Sequence, residues 1–373
     1  MIERMIKSAI TKAMSSGKAV ILLGARQVGK TTLVDSLFGS QTGTLWLNGD
    51  EHDVRAMFEN INSERLRAII GSSSVVVIDE AQRIPDVGMK LKLITDQIKD
   101  VQLIATGSSS FDLTGLVNEP LTGRKREITL FPLSFGEMSA HHGQLTENRL
   151  LEHRLVFGYY PEVVNSQGDE RMALREISDS YLYKDILALD RIKKSDNMTK
   201  LLRALSFQIG SQVSYTEVGQ LCGLDNKTVE RYITVLEQAF VVFRLGSYSR
   251  NLRNELKASR KIYFIDNGIR NSIIADYRPV ELRDDVGKLW ENFLVSERMK
   301  HNKYTESHAN SWFWRTHQQQ EIDYLEEQDG SIRAYEFKWN PSAKHKRVKA
   351  FTDAYPNSSF QIVHRDNYDS FLS

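Results

Sequence analysis

The chain has 373 residues, and at roughly 150 residues per domain it is expected to hold two or three domains. Hydrophobic residues make up 41% and charged residues 26%, which excludes a wholly disordered or fibrous protein. Lys plus Arg (49) nearly balance Asp plus Glu (48), so no overall positive charge attracts nucleic acid and any such contact needs a local patch.

Cysteine usage and hydropathy limit the expected location and metal chemistry. The single cysteine, Cys222, excludes an intramolecular disulfide, and neither it nor the nine His residues have the spacing of zinc ligands. No apolar run reaches the roughly 18 residues that a membrane span needs, and the first residues form a charged amphipathic stretch without a signal-peptide core. We therefore expect a cytoplasmic protein that makes no membrane contact.

Short β-branched runs alternate with helical patterns between Gly17 and about Phe135. The runs lie at 19–23, 44–48, 74–80 and 102–106, with a last one at 127–131. Continuous apolar runs between helices are typical of parallel strands that are covered on both faces. This part of the chain predicts an α/β fold with a parallel sheet of the P-loop nucleotide-binding class.

The first predicted strand leads into a phosphate-binding motif. The residues that match G-x-x-x-x-G-K-[ST] are Gly24, Ala25, Arg26, Gln27, Val28, Gly29, Lys30 and Thr31, followed by Thr32. Backbone N–H groups of such a loop surround phosphate oxygens, and the following helix N-terminus adds its positive dipole end. We expect ATP binding, with Lys30 neutralising the β and γ phosphates and Thr31 ligating Mg²⁺.

Two adjacent carboxylates end the third predicted strand. Asp79 is expected to hold Mg²⁺ through water, and Glu80 to act as general base on the attacking water. The next strand runs into a small polar loop where either Thr106 or Ser108 could contact the γ-phosphate, the alternative being a simple turn. Arg124 is a candidate to stabilise transition-state charge in its own or a neighbouring subunit, and a solvated basic turn is the alternative.

Six segments resemble, in their order, the uncharacterised prokaryotic AAA+ ATPases. They are Gly24–Thr32, Ile78–Pro85, Ala105–Ser110, Thr122–Arg124, Phe131–Glu137 and Gly158–Glu162. The resemblance covers nearly the whole chain and implies an AAA+ ATPase core over residues 1–136 and a helical lid or spacer over 137–210. It further implies a winged helix over 211–280, a restriction-endonuclease-like domain over 281–373, and a homo-oligomer.

Residues 212–268 have the pattern of a winged helix. A capping box from Ser214 to Glu217 opens one helix, Gly223 makes the turn, and Asp225 caps a second helix. The basic or polar residues that could contact DNA from the second helix and the wing are Asn226, Lys227, Arg231, Arg250, Arg253, Lys257, Arg260 and Lys261. Because acidic Glu230 and Glu237 share the outer face of that helix, a packing or subunit-contact role is the alternative to DNA binding.

A hairpin near the C-terminus carries paired charges. The sequence Asp329-Gly330 predicts a two-residue turn, which places Asp323 opposite Glu336. The same register places Glu321 opposite Lys338. Two opposed carboxylates repel one another unless a cation or a proton lies between them.

This hairpin resembles the nuclease core of restriction-endonuclease-like enzymes. The resemblance implies that Asp323, Glu336 and the helical residue Glu291 bind a divalent metal, and that Lys338 orients or activates water. A solvated polar face with an ordinary ion pair is the alternative. A basic run at 344–349 is consistent with substrate phosphates or with a solvated helix face.

Taken together, the sequence predicts an ATP-hydrolysing AAA+ protein that couples nucleotide state to a DNA-binding, metal-dependent nuclease-like module. The alternative is a nucleotide-dependent switch or remodelling factor that acts on a protein partner and contains a nuclease fold that does not cut.

Overall fold

A computed structural model describes residues 1–108, 121–179, 195–249, 260–316, 318–343 and 348–372. The chain divides into two compact units. The N-terminal unit comprises Met1–Pro132 with Gln238–Phe240, and the C-terminal unit comprises Leu133–Glu237 with Val241–Ser373.

The N-terminal unit contains a five-stranded parallel sheet. Its strands are β1 (Ala19–Leu23), β2 (Thr44–Asn48), β3 (Val75–Asp79), β4 (Gln102–Gly107) and β5 (Lys125–Thr129). They lie in the order β2-β3-β4-β1-β5, and every neighbouring pair is parallel. The predicted α/β class and parallel sheet are confirmed.

Helices connect these strands and cover the apolar runs. They are α1 (Lys7–Met14), α2 (Lys30–Phe38), α3 (His52–Met57), α4 (Ser63–Ile70) and α5 (Val87–Gln97). A short 3-10 helix, Ala81–Arg83, follows β3 directly. Every residue of β1 and β3 is buried, which is the burial expected of central strands in a covered parallel sheet.

The C-terminal unit begins with helices. These are α6 (Phe135–His142), α7 (Gln144–Arg149), α8 (Leu151–Phe157), α9 (Pro161–Asn165), α10 (Glu170–Ile177), α11 (Ser195–Phe207), α12 (Tyr215–Cys222) and α13 (Asn226–Gln238). The first of them has a capping box, because the Ser134 side chain accepts from the Glu137 N–H and the Glu137 side chain accepts from the Ser134 N–H.

A six-stranded mixed sheet completes this unit. Its strands are β6 (Val242–Ser247), β7 (Arg260–Phe264), β8 (Asn310–Arg315), β9 (Glu321–Gln328), β10 (Ser331–Phe337) and β11 (Ser359–Val363). Between and after them lie helices α14 (Asn267–Ile274), α15 (Val286–Tyr304), α16 (Lys349–Ala354) and α17 (Asp369–Leu372), with a 3-10 turn at Val280–Leu282. The sheet order is β11-β10-β9-β8-β6-β7, so the hairpin that follows α13 and the C-terminal strands share one sheet.

Helix α15 supplies much of the core of the C-terminal unit. Trp290 is fully buried and packs against Phe293, Trp339 and Tyr368, with ring centroids 5.4–5.7 Å apart. Such aromatic clusters combine a large buried area with favourable edge-to-face geometry. These contacts hold α15 in place and, with it, the polar residues of the helix, among them Glu291.

Candidate functional site

The loop after β1 requires glycine at both ends. A Cβ built on Gly24 would lie 2.2 Å from the Leu130 carbonyl oxygen, so only glycine fits there. Gly29 has φ of +91°, in the left-handed region, and it is the N-cap residue directly before α2. The predicted strand, loop and helix of the phosphate motif are therefore all present, with the loop residues between β1 and the N-terminus of α2.

Lys30 lies across this loop. Its Nζ donates to the carbonyl oxygens of Gly24 at 2.9 Å and Ala25 at 2.8 Å, and the residue is 6% exposed. Burial lowers the pKa of Lys30 to about 8, against the raising effect of Glu80 and Asp79. A buried ammonium with uncharged carbonyl partners is a strong site for an anion, because an added negative charge stabilises it further.

Hydrogen bonds join the loop helix to the ends of two neighbouring strands. Thr31 Oγ1 donates to Asp79 Oδ2 at 2.9 Å, and Thr106 Oγ1 donates to Asp79 Oδ1. The backbone N–H of Glu80 in turn donates to Thr106 Oγ1 at 3.1 Å. The carboxyl end of β3 is thus connected on one side to the phosphate loop and on the other to β4.

The same contacts separate the two γ-phosphate candidates. Thr106 is fully buried, and its hydroxyl already donates to Asp79 and accepts from Glu80. Ser108, by contrast, accepts a hydrogen bond from Gln82 Nε2 at 3.1 Å, and within the described part of the chain its own hydroxyl proton is left for another acceptor. This favours Ser108 over Thr106 as the group that contacts phosphate.

The Thr31 hydroxyl and the Asp79 carboxylate suit a magnesium ion. Both are oxygen donors, which Mg²⁺ prefers, and they lie 2.9 Å apart at the end of the phosphate loop. Mg²⁺ commonly takes one or two protein oxygens and completes its shell with water and substrate phosphates. These two residues therefore fit the predicted cation.

Sequence reasoning missed two residues of this region. Arg4, 8% exposed, donates from Nη1 to the Val28 carbonyl at 2.7 Å and from Nη2 to the Phe131 carbonyl at 2.6 Å, which braces the loop. Gln82 donates to the Glu80 carboxylate at 2.5 Å. Arg4 lies in a stretch with the pattern of an amphipathic helix, and nothing in that pattern indicates a contact with the loop. Gln82 lies two residues after Glu80, and this proximity could have identified it as part of the site.

Arg124 does not reach the phosphate loop of its own chain. Strand β5 pairs with β1 in parallel, with Lys125 beside Ala19, while the loop follows Leu23 at the other end of β1. A five-residue strand separates these ends by about 13 Å. Arg124 instead donates from Nε to Asp96 Oδ1 at 2.6 Å, so the prediction of a role within its own subunit is wrong. A role on a neighbouring subunit's nucleotide stays a prediction.

The predicted hairpin register in the C-terminal unit is confirmed where the strands pair. Ser331 pairs with Gln328 and Tyr335 with Tyr324, which is the register of a turn at residues 329–330. Beyond Tyr324, however, β9 has an irregularity in its pairing with β8. There the Phe337 N–H donates to the Asp323 carboxylate at 2.8 Å. Irregular pairing of this kind redirects side chains and often occurs near functional sites.

A buried lysine outside the hairpin, Lys261, contacts one of its carboxylates. Lys261, on β7 and 1% exposed, lies 2.8 Å from Glu291 Oε1 and 2.6 Å from Glu321 Oε1. Burial alone would lower the pKa of Lys261, but Glu291, Asp323 and Glu321 raise it above its usual value. The Tyr263 hydroxyl also donates to Glu291, at 2.7 Å. Lys261 was predicted to contact phosphates from the wing, and its burial shows that prediction to be wrong.

The three predicted metal ligands are not arranged as a metal site. Within the described ranges, no group of three or more His, Cys, Asp or Glu side chains could hold a metal ion. Glu291 is bound to Lys261, Asp323 accepts from a backbone N–H, and Glu336 accepts from Lys338 Nζ at 2.7 Å. The prediction that Glu291, Asp323 and Glu336 bind a divalent metal is therefore corrected for the described residues, because the Lys261 ammonium already contacts the carboxylates of Glu291 and Glu321.

Burial still sets the protonation of these acids. It raises the pKa of Glu291 to about 7, partly offset by Lys261, and it also raises the pKa values of Asp323 and Glu336. Lys338 pairs with Glu336 and not with Glu321, the partner that the predicted register gave it. Glu321 instead contacts Lys261 and Arg315. Together with Lys261 and Lys338, these acids form a largely buried ion-pair network.

The two helices predicted for the DNA-contacting module are present as α12 and α13. Ser214 accepts from the Glu217 N–H, and Gly223 ends α12 in the left-handed conformation at φ +67°. Lys227 and Arg231 are exposed on α13. Glu237 accepts from Arg244 Nε at 2.7 Å, so its charge is neutralised and does not oppose phosphate. The wing residues Arg250, Arg253 and Lys257, and the basic residues 344–347, lie outside the described residues.

Three family models match separate parts of the chain. Residues 16–139 match an AAA domain, residues 148–278 match a domain of unknown function (DUF8612), and residues 286–371 match another domain of unknown function (DUF4143). None of these matches spans half of the chain. The first covers the whole phosphate loop, the acidic pair and β5.

Two uncharacterised proteins and one solved structure are similar to this chain over different lengths. An uncharacterised protein of Mycobacterium tuberculosis is 27% identical over 360 residues, which cover 95% of this chain and 78% of that protein. An uncharacterised protein of Haemophilus influenzae is 27% identical over 187 residues, 47% of this chain and 46% of that protein. The Walker-type ATPase of Pyrococcus abyssi has a TM-score of 0.51 and 14% identity, covering 74% of this chain and 96% of that chain.

These findings support an ATP-binding and ATP-hydrolysing protein of an uncharacterised AAA type. The likeness to the Pyrococcus abyssi protein shows a shared fold, and the AAA match covers residues 16–139. Among the helices of the described ranges, none is both long enough and apolar enough to cross a membrane.

Proposed function

We propose that this protein is a Mg²⁺-dependent ATPase in which Lys30, Thr31, Asp79 and Glu80 carry out hydrolysis. The observation that carries the proposal is the hydrogen-bonded chain from Thr31 through Asp79 and Thr106 to the backbone of Glu80. It joins the phosphate loop to the ends of β3 and β4, where the reacting phosphate of a P-loop ATPase lies.

Each residue has a role that follows from its position. The backbone N–H groups of residues 24–31 and the buried Lys30 ammonium bind the phosphates, and Thr31 with Asp79 would hold the magnesium ion. The bound magnesium would supply positive charge to the phosphate oxygens. Glu80 accepts a proton from the attacking water. At the same time the water oxygen bonds to the γ-phosphorus, and the bond between that phosphorus and the ADP oxygen breaks.

The test is equilibrium binding of labelled ATP to a Lys30→Ala variant. We expect the affinity to fall by about 100-fold, in line with the loss of a charged hydrogen bond to phosphate in a buried site. Lys12→Ala is the matched control, because Lys12 is an exposed lysine of the same unit. Equal affinities of Lys30→Ala and wild type would refute the proposed binding site.

For the C-terminal unit, we favour a nucleotide-dependent switch that does not cut nucleic acid. The support is the Lys261 ammonium among Glu291, Glu321 and Asp323, which supplies the charge that a metal would bring to this cluster. Plasmid DNA incubated with Mn²⁺ and ATP should therefore stay intact with wild type and with Asp323→Ala alike. Cutting by the wild type that disappears in Asp323→Ala would instead establish the nuclease.

Contact with DNA and self-association remain separate proposals. The exposed Lys227 and Arg231 on α13, with Glu237 neutralised by Arg244, support binding to the DNA backbone. A homo-oligomer would allow Arg124 to act on the nucleotide of a neighbouring subunit. Light scattering with a slowly hydrolysed ATP analogue tests it, and a monomer under all nucleotide conditions would remove that role.

A further inference from the structure

Gln82 lies between the proposed general base and the tip of the neighbouring strand. It belongs to the 3-10 helix Ala81–Arg83, which begins directly after Glu80, a residue in the left-handed region at φ +48°. One amide nitrogen, Gln82 Nε2, is 2.5 Å from Glu80 Oε2 and 3.1 Å from Ser108 Oγ. A single side chain thus links the carboxylate at the end of β3 to the hydroxyl after β4.

The Ser108 hydroxyl can link a bound phosphate to Gln82 through hydrogen bonds. It accepts from Gln82, and no acceptor among the described residues takes its own proton, which can therefore go to a phosphate oxygen. When a hydroxyl donates to an anion, its oxygen becomes a better acceptor, because hydrogen bonds in a chain polarise one another. A phosphate contact at Ser108 therefore strengthens the hydrogen bond from Gln82 Nε2 to Ser108 Oγ. Because the same Nε2 also donates to the Glu80 carboxylate, this contact alters the position of that carboxylate.

The other end of the amide gives an independent indication. Gln82 Oε1 is buried and has no hydrogen-bond partner among the described residues. A buried acceptor without a partner is unfavourable, and such atoms mark places where another group completes the site. A water molecule that reacts beside Glu80 would provide the missing donor.

We propose that Gln82 is a positioning residue, which couples the phosphate contact of Ser108 to the orientation of the Glu80 carboxylate and of the attacking water. The proposal rests on the proposed function, in which Glu80 is the general base. Gln82 itself takes no proton. It acts on the rate of hydrolysis and leaves ATP binding to the phosphate loop.

The test compares kcat, KM and ATP affinity in Gln82→Met, Ser108→Ala and the double variant. Methionine has nearly the same shape as glutamine but offers no amide, so the variant keeps the packing. We expect kcat of Gln82→Met to fall by about 10- to 100-fold, the size of a misplaced reactive group, with ATP affinity within about threefold of wild type. Gln102→Ala, an exposed glutamine at the start of β4, is the control and should leave kcat unchanged.

The double variant tests the coupling itself. If Gln82 transmits the contact of Ser108, the double variant should have nearly the kcat of the slower single variant, because residues that act as a unit are not additive. Multiplied effects in the double variant would overturn the proposal. So would an unchanged kcat in Gln82→Met.

Failure of this inference is distinguishable from failure of the proposed function. Loss of turnover in Glu80→Gln together with normal turnover in Gln82→Met overturns the role of Gln82 alone. Normal turnover in Glu80→Gln removes the general base on which both proposals depend. Thermal unfolding of Gln82→Met should match wild type within about 2 °C, and a larger shift with equal losses of kcat and ATP affinity would assign Gln82 to packing.

Discussion

Replacing Lys261 by methionine tests the ion-pair network of the C-terminal unit. The ammonium contacts Glu291 at 2.8 Å and Glu321 at 2.6 Å, and its side chain is 1% exposed. Methionine fills a similar volume, so the change removes the charge and its hydrogen bonds and leaves the packing nearly intact. The variant therefore isolates what the positive charge contributes.

The expected loss follows from the contacts that remain. Removal of one partner from a buried ion pair costs about 3–5 kcal/mol, because the other charge is left buried. Glu321 is 26% exposed and keeps Arg315 at 3.2 Å, so it contributes little to that loss. Glu291 is 15% exposed and keeps the Tyr263 hydroxyl, which places the expected loss near the lower end, at about 3 kcal/mol.

The loss should depend on pH in a defined direction. Burial raises the pKa of Glu291 to about 7. As pH rises, the unfolded chain therefore loses the proton of Glu291 at a lower pH than the folded protein does. Stability from this group is therefore present in acid and declines as pH rises toward the folded value. Without Lys261 the folded pKa rises further, so the loss in Lys261→Met is largest near pH 8 and smaller near pH 5.5.

Urea unfolding followed by tryptophan fluorescence measures this loss. Four of the five tryptophans, Trp290, Trp312, Trp314 and Trp339, lie in the C-terminal unit, so the signal reports mainly that unit. Lys338→Met is the matched control. Because Lys338 is 34% exposed beside Glu336, its loss should stay below about 1 kcal/mol.

Two results would refute this reasoning. One is a Lys261→Met variant whose stability near pH 8 lies within about 0.5 kcal/mol of wild type, since a charge that matters must cost more than an ordinary surface change. The other is a wild type that Mn²⁺ stabilises through Asp323, shown by loss of the effect in Asp323→Asn. We expect Mn²⁺ to stabilise Lys261→Met more than wild type, because the freed carboxylates can then share a cation.

Three further predictions concern the loop and α13. Arg4→Met should weaken ATP binding about 10-fold in a titration, because the buried carbonyl oxygens of Val28 and Phe131 lose their charged donor. An unchanged affinity would show that the loop needs no brace. ATP binding measured in EDTA should weaken above about pH 8, because burial lowers the pKa of Lys30 to about 8 and the neutral amine no longer attracts phosphate. Constant affinity between about pH 7 and pH 9.5 would contradict this. Fluorescence anisotropy with duplex DNA should show binding that weakens steeply with salt, with a smaller salt slope in a Lys227→Ala, Arg231→Ala double variant. Identical slopes would remove α13 from any DNA contact.

Local sequence signals predicted the N-terminal unit well. The runs at 19–23 and 44–48 form strands with the predicted bounds, because short, mainly apolar segments between helices are typical of covered parallel strands. The glycine spacing and the acidic pair placed the phosphate loop and the end of β3 at one edge of the sheet. The prediction for Arg124 within its own subunit failed because the sequence does not fix how β5 pairs. Arg124 precedes β5, and the parallel pairing with β1 places that end of the strand away from the phosphate loop.

Long-range pairing limited prediction in the C-terminal unit. The hairpin register was predictable because a two-residue turn fixes it locally. The pairing of β6 with β8 joins residues far apart in sequence, and that pairing puts the hairpin of Lys261 into the same sheet as Glu321. A lysine before an apolar run reads as a solvated wing residue, so its burial among carboxylates could not be found from the sequence pattern.

The most direct test of the central claim is single-turnover hydrolysis of γ-labelled ATP by Glu80→Gln. Glutamine keeps the shape of the side chain but cannot take a proton, so ATP affinity should stay within about threefold of wild type while the hydrolysis rate falls at least about 100-fold. Rapid phosphate release by this variant, at a rate within about threefold of wild type, would contradict the account.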